Sequence, residues 1–318
     1  MKENRDIALT LLIIMKGRFI FLVYILLFGV IWPSCSIGNI ELVQCEQDYH
    51  IIMEEKGTIW LDSLCSETFQ GRRSGTKGNE LAFDYLLREI SDLGYEPVSQ
   101  VIKTERGKTL RNIIVQIPGI VDSSIVIGAH FDGAVMSSNN VHYQAAEDNG
   151  SGTVTLLMFL YYLKLIPDVP ERTITCCFWD GEESLDGKTF RGSTHYVQNL
   201  SDSLLRRVLH YENLDTIGHD HDGSNVIYME YLGNERIAQA ADEISRNGRF
   251  TYHIRESTFF NSDYTPFYRA GIPFINYHDH YEYGCNHPNH TPRDTKDAVS
   301  INRLIRIVFN VFDCIQSY

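Results

Sequence analysis

Several carboxylates and two imidazoles in this chain stand where one kind of segment gives way to another. His130 and Asp132 follow the apolar run IVIGA, Glu182 and Glu183 follow CCFWDG, and Asp215 follows YENL. Glu147 and Asp148 open the turn EDNGSG, ahead of the apolar run TVTLLMFLYYLKLI, and His290 sits in NHTPRDT. Imidazole nitrogens and carboxylate oxygens are ligands that bind zinc. Five such ligands shared between two ions make a hydrolytic site, in which one ion polarises a carbonyl and both lower the pKa of a bridging water. Each piece alone reads blandly. An acidic pair before an apolar run caps a helix and suits its dipole, a Glu-Glu pair is usually a solvated turn, and a lone His is usually a surface residue. Their joint occurrence, in order and at strand ends, points to a site.

The elements that must position these groups can be read from periodicity. NELAFDYLLREISDLGYEP has apolar residues at helical spacing, closed by Gly94 and Pro97. TLRNIIVQIPG, SSIVIGAHFD, RTITCCFWDGEE, RRVLHYENLDTIG, SNVIYMEYLG and GIPFINYHD read as strands, apolar enough to be buried on both faces. Helices are expected from about Ser151 to Leu165, at GSTHYVQNL, at NERIAQAADEISRNG, and at the end of the chain over SINRLIRIVFNVFDCI. Strands alternating with helices predict an α/β fold, a three-layer sandwich around a mixed, largely parallel central sheet. Ligands in such sheets bind beyond the carboxyl ends of the strands, where these acids and histidines lie. Two adjacent residues on an extended strand end point opposite ways, so Glu183 can face a metal while Glu182 leans over the substrate.

As a set, HFD, EDNGSG, GEES with a following RGS, ENLDTIG and HTPRDT resemble the motifs of the co-catalytic zinc aminopeptidase family that includes the bacterial secreted leucyl and Streptomyces-type enzymes. FQGRRSGTKGNELAFDYL and NSDYTPF are similar to further segments of that family, so the resemblance runs from about Leu61 to the C-terminus. It implies a zinc exopeptidase-like fold and two zinc ions. His130 and Asp215 would bind one ion, Glu183 and His290 the other, and Glu147 would bridge them. Glu182 would be the general base on a metal-bound water. Asp132 would hold the far nitrogen of His130, and Asp148 would orient the backbone of the bridging residue. Position 147 departs from the family, which carries Asp there. The extra methylene lengthens the reach by ~1.5 Å, against a tolerance of about 0.2 Å in zinc–oxygen distance. Glu147 is nevertheless expected to bridge. Tyr281 and Tyr283 are candidates to donate to the oxyanion.

The resemblance implies a metallo-aminopeptidase acting on peptide or protein N-termini. Two other readings compete. One is a glutaminyl cyclase-like zinc aminoacyltransferase, which shares the DGEE segment; the other is a non-catalytic, peptidase-like binding domain. With 41 acidic and 28 basic residues the net charge is -13, which argues against a nucleic-acid partner.

The N-terminus reads as a leader. Lys16 and Arg18 precede an apolar run ending near Ile31, followed by WPSCS. Residues 1–35 are therefore expected to be a signal or lipoprotein leader, or an anchor, and 36–318 a single domain. The protein would be exported to a bacterial cell envelope, periplasmic or attached to the membrane through a lipidated Cys35 or the apolar run itself. Cys176 and Cys177, adjacent on an apolar strand, are expected to pack rather than bond.

Overall fold

The computed structural model describes residues 37–134, 143–166, 169–220, 223, 225–258, 260–279 and 287–317, with side chains from residue 49 onward. The leader with Cys35, the loop residues Tyr281, Tyr283 and Cys285, and the Cys45 side chain lie outside the described residues. A compact unit runs from Tyr49 to Tyr318. Among the described residues no helix is long and apolar enough to cross a membrane.

The element order is α1 (Ile37–Leu64), α2 (Lys77–Asp92), β1 (Val98–Lys103), β2 (Thr109–Ile117), β3 (Val121–His130), α3 (Ser151–Leu165), β4 (Arg172–Trp179), α4 (Arg191–Gln198), α5 (Asp202–Leu205), β5 (Val208–Leu214), β6 (Val226–Leu232), α6 (Glu235–Ser245), β7 (Thr251–Glu256), α7 (Tyr264–Arg269), β8 (Phe274–His278) and α8 (Ile301–Ser317). Among the described residues the strands form one sheet in the order β1-β2-β4-β3-β5-β8-β6-β7. Its centre, β4-β3-β5-β8, is parallel, and so is β6-β7, whereas β1-β2, β2-β4 and β6-β8 are antiparallel. The sheet is thus mixed with a parallel centre. Two strands carry no apolar run: β1 and β7 are the sheet edges, and mostly exposed. Edge strands tolerate polar and charged residues that a central strand would exclude.

The pleat sorts side chains to two faces. Ile125, Ile127 and Ala129 of β3 join the core under α1, α2, α3, α6 and α8, whereas Val126 joins a second core under α4 and α7. Cys176 and Cys177 separate in the same way. They point to opposite faces, and both are free, buried thiols. Helix α3 is buried on every side from Val154 to Leu160, which explains its lack of a polar face. Each of its large apolar side chains contributes about 1.5–3 kcal/mol by leaving water.

Chain direction then creates the site. From β3 the chain crosses through α3 to β4 on one side, and β5 lies on the other side of β3. The carboxyl ends of β3, β4 and β5 therefore surround a topological switch point, where a crevice opens in parallel sheets.

Candidate metal centre

His130 is the last residue of β3, and Asp215 directly follows β5. Between them lies the turn Ala146–Gly150, which launches α3. The turn is held from below by Arg72, a fully buried guanidinium. It donates to the carbonyls of Phe131 (2.8 Å), Leu64 (2.7 Å), Gln144 (2.9 Å) and Ala145 (2.6 Å). Asp294 holds the turn from above, accepting from the backbone N–H of Glu147 (2.6 Å) and of Asp148 (3.2 Å). Gly152 seats the first turn of α3 against β5, since a Cβ there would lie 2.3 Å from the carbonyl oxygen of Leu214. The Asp148–Asn149 peptide bond is cis.

This clamping decides which acid faces the cleft. Asp148 Oδ1 lies 3.3 Å from His130 Nε2, and Asp148 Oδ2 lies 3.0 Å from His290 Nε2. Asp215 Oδ1 is 3.3 Å from the same His130 nitrogen, and Glu183 Oε1 is 2.9 Å from that of His290. Two clusters of possible ligands result, His130–Asp148–Asp215 and Asp148–Glu183–His290, with ligand atoms within 4.8 Å of one another in each. Asp148 belongs to both.

Glu147 does not. The expectation that it bridges is corrected by its position: it is fully buried on the other side of the turn. Its oxygens accept the N–H of Gly218 at 3.1 and 3.0 Å, and it forms a separate cluster with Asp279 and His287. Consecutive residues of this clamped turn leave it in opposite directions, so only one of the pair can enter the cleft. The shorter carboxylate does, and the methylene that looked like a departure from the family belongs to a residue outside the centre. The adjacent acids left the register ambiguous by one residue. Asp294, four residues after His290, is a further group that sequence reasoning passed over.

Glu182 and Glu183 lie in the loop after β4, and Asp132 places both. Its carboxylate accepts the N–H of Glu182 at 3.2 Å and of Glu183 at 3.3 Å, and Ser74 donates to it at 3.0 Å. It is not the nearest acceptor for His130: Nδ1 is 3.1 Å from the Asp132 backbone carbonyl and 3.7 Å from its carboxylate. Asp132 is thus a positioning residue for the glutamate pair and, through its main chain, for the imidazole. Glu183 faces His290, while the carboxylate of Glu182 accepts no hydrogen bond among the described residues and lines the cleft.

The cleft measures about 680 Å³, a usual size for a small-molecule site. Burial and mutual repulsion set its protonation. Burial, more than any neighbouring charge, raises Glu182 well above the ordinary carboxylate range. Glu183 is pushed up to about 7 by burial and then by the charge of Asp148. His290 is raised to about 11 by its hydrogen bonds to Asp148 and Glu183. Burial opposes the charged form of His130, but Asp215 and Glu182 outweigh it and hold the group well above the usual imidazole range. Burial likewise opposes ionisation of Asp148, and its hydrogen bonds to the two imidazoles overcome it. Two imidazoles and three carboxylates converging on two points form a donor set that fits two hard-to-borderline dications, whose uptake would displace the protons the imidazoles hold.

A match to the model of peptidase family M28 covers residues 112–315, more than half of the chain. The chain belongs to peptidase family M28. It is 29% identical over 218 residues to an aminopeptidase of Bacillus subtilis, YwaD, covering 64% of this chain and 43% of that one. Among solved structures, the LapA aminopeptidase of Legionella pneumophila superposes with a TM-score of 0.71 at 17% identity, over 92% of this chain and 78% of that one. A glutaminyl cyclase from an Acidobacteriales bacterium gives 0.68 at 21% identity, over 85% and 93%. Both share the fold. The chain spans less than half the length of the curated relatives it matches first.

Proposed function

We propose that this M28 chain is a zinc-dependent aminopeptidase that hydrolyses the bond after the first residue of a peptide. The observation that carries the reading is Asp148, whose two oxygens each face a different imidazole while the Glu182 carboxylate stands uncommitted beside them. His130, Asp148 and Asp215 would hold one zinc ion, and Asp148, Glu183 and His290 a second. Zinc bound there supplies Lewis-acid polarisation of the scissile carbonyl and acidification of water.

The chain's own residues supply the rest. Burial raises Glu182 above the ordinary carboxylate range, which strengthens it as a group that takes a proton from the attacking water and returns it to the leaving amine. Asp132 fixes the glutamate pair through their amides, and Ser262 fixes Asp215 with a 2.5 Å hydrogen bond to Oδ2. Replacing Glu182 by Gln keeps the shape and removes the base. The zinc-loaded variant is expected to lose about 10²–10⁴-fold in aminoacyl-anilide hydrolysis with its zinc content unchanged by elemental analysis. Equal rates for the variant and the parent would sink the reading.

The cyclase reading has one observation in its favour: the side chains of Asn261 and Asn276 line the cleft, and their amides suit a carboxamide. It predicts ammonia release from Gln-peptides with no release of the first residue. The basic residues Lys16 and Arg18 before an apolar run support export, with membrane attachment through that run or Cys35. Recovery of the full chain in the cytoplasmic fraction of an expressing bacterium would count against it.

A further inference from the structure

The cleft floor carries a chain of hydrogen bonds whose direction can be deduced from one end. It begins at the Trp179 indole N–H, which can only donate, and does so to Tyr211 Oη at 2.9 Å. The two side chains meet across β3 because position 128 is Gly; a Cβ there would lie 2.2 Å from the indole nitrogen and 2.4 Å from the phenol oxygen. Tyr211 passes its own hydrogen to Asn213 Oδ1 at 2.9 Å. The Asn213 amide must then use Nδ2 as a double donor, to Ser262 Oγ at 3.0 Å and to Asn276 Oδ1 at 2.9 Å. Ser262 in turn donates to Asp215. Asn276 Oδ1 thus accepts from Asn213, and the Asn276 amide N–H groups meet no acceptor among the described residues.

Sheet register extends this polarity outward. Asn213 pairs with Asn276, Asn276 with Glu230, and Glu230 with Arg255. Cross-strand partners share a face, so these four residues form one polar row across β5, β8, β6 and β7. Glu230 is buried and neutralised: Arg255 donates to it through Nε at 2.6 Å and also through Nη2, and Ser257 donates at 3.1 Å. The Arg255 side chain is 53% exposed, and its remaining N–H groups have no acceptor among the described residues. Asn261 accepts from Tyr264 through Oδ1 at 2.7 Å, which leaves its amide N–H groups as well. Asn276, Arg255 and Asn261 all line the cleft that holds Asp148, Glu182 and Asp215.

We propose that this row is the binding site for the side chain of the substrate's first residue, and that it selects side chains ending in a carbonyl oxygen. These are the carboxylates of Glu and Asp and the carboxamides of Gln and Asn. The inference rests on the aminopeptidase reading for the position of the scissile bond. The wall of the cleft is acidic, but its floor offers donors. An aliphatic side chain would leave those donors desolvated and unpaired, and a cationic one would meet Arg255. A site built to hydrogen-bond its substrate rejects analogues lacking the partner group far more strongly than an apolar pocket can.

The test uses the zinc-loaded full chain, Glu-, Gln-, Leu- and Lys-anilides, and calorimetric titration with the four free amino acids. The Glu and Gln compounds are expected to exceed those of Leu and Lys by at least about tenfold, in kcat/KM and in affinity. Asn276→Leu should lower both for Glu and Gln by about tenfold or more relative to its effect on Leu and Lys. The paired change Glu230→Gln with Arg255→Gln avoids stranding a buried charge, and should weaken Glu while sparing Gln. If Leu is cut fastest and bound tightest, or if Asn276→Leu scales all four compounds alike, the inference falls and the peptidase reading stands. If no anilide is cut, the peptidase reading falls and the calorimetric order alone decides the pocket. Ammonia release from the Gln compound, with Glu and Gln still bound tightest, would retain the pocket and replace the reaction.

Discussion

Glu147 and Asp148 are neighbours in the chain and lie in opposite worlds. Asp148 faces the cleft, shared between two imidazoles, and is held ionised by them. Glu147 faces the core, against a backbone N–H and the carboxyl of Asp279, and burial pushes it well above the usual range. One Asp279 oxygen is paired with Arg303 and the other has no ordinary donor, so a proton on Glu147 satisfies the pair. Gly218 makes the arrangement possible, because a Cβ there would lie 2.9 Å from a Glu147 oxygen. The same chemical group thus stands between two imidazoles on one side of the turn and is a buried hydrogen-bonding plug on the other. The difference comes from what the clamped backbone points each one at.

The largest test of this contrast is to remove each acid in turn. Asp148→Ala takes a ligand from both clusters, and is expected to lose bound zinc and at least about 10³-fold in anilide hydrolysis, several kcal/mol of transition-state stabilisation. Glu147→Gln replaces a carboxyl that burial and Asp279 push toward its neutral form by a near-isostere. Zinc content should be retained and activity kept within about fivefold, less than about 1 kcal/mol. Loss of zinc in the Gln variant would reverse the assignment of the two residues.

A second test attacks the core side alone. Arg303→Met strands Asp279 beside Glu147, and removes donors to the Ile217 carbonyl (2.9 Å) and the Val226 carbonyl (2.6 Å). Breaking a buried pair in this way costs about 3–5 kcal/mol. That should be visible as a lower midpoint of denaturant unfolding, with zinc stoichiometry in the folded fraction unchanged. A variant as stable as the parent would show that Asp279 needs no counter-charge.

The smallest effect comes from a third buried acid with the opposite sign. Glu230 is lowered to about 2: burial resists this, but the imidazole of His278, 3.8 Å away, and the charge and hydrogen bond of Arg255 outweigh it. A carboxyl lower in the folded state contributes stability that is complete above its ordinary value of 4.5 and is lost as pH falls toward 2. Because Arg255 is half-exposed and screened, about 1–2 kcal/mol is expected. The loss should shrink in Glu230→Gln when unfolding is followed from pH 5 down to pH 2. Identical pH dependence in the variant would mean that Glu230 does not gain from its partners.

Much of the fold was legible because the parallel strands are buried on both faces and leave apolar runs, and because the long helices are periodic or wholly apolar. Strands β1 and β7 escaped notice for the same physical reason, since an edge strand needs no such run. The site was legible as a list. His130, Glu183, Asp215 and His290 are brought together as ligand-type side chains, with Glu182 beside them, because strand ends and their first loop residues must converge at a switch point in the sheet. Asp132 was visible as part of the site, but its work on the glutamate amides was not.

What the amino-acid order determined by itself is composition at the strand ends: which acids and imidazoles are available, and in which segments. Direction was decided only in three dimensions. Arg72 and Asp294, each more than 70 residues from the turn or on its far side in sequence, clamp the backbone of EDNGSG so that Asp148 rather than Glu147 enters the cleft. A tryptophan N–H two strands away orients the amides that floor the pocket. Hydrogen-bond direction and side-chain orientation are properties of packed neighbours, and those neighbours are remote in the chain.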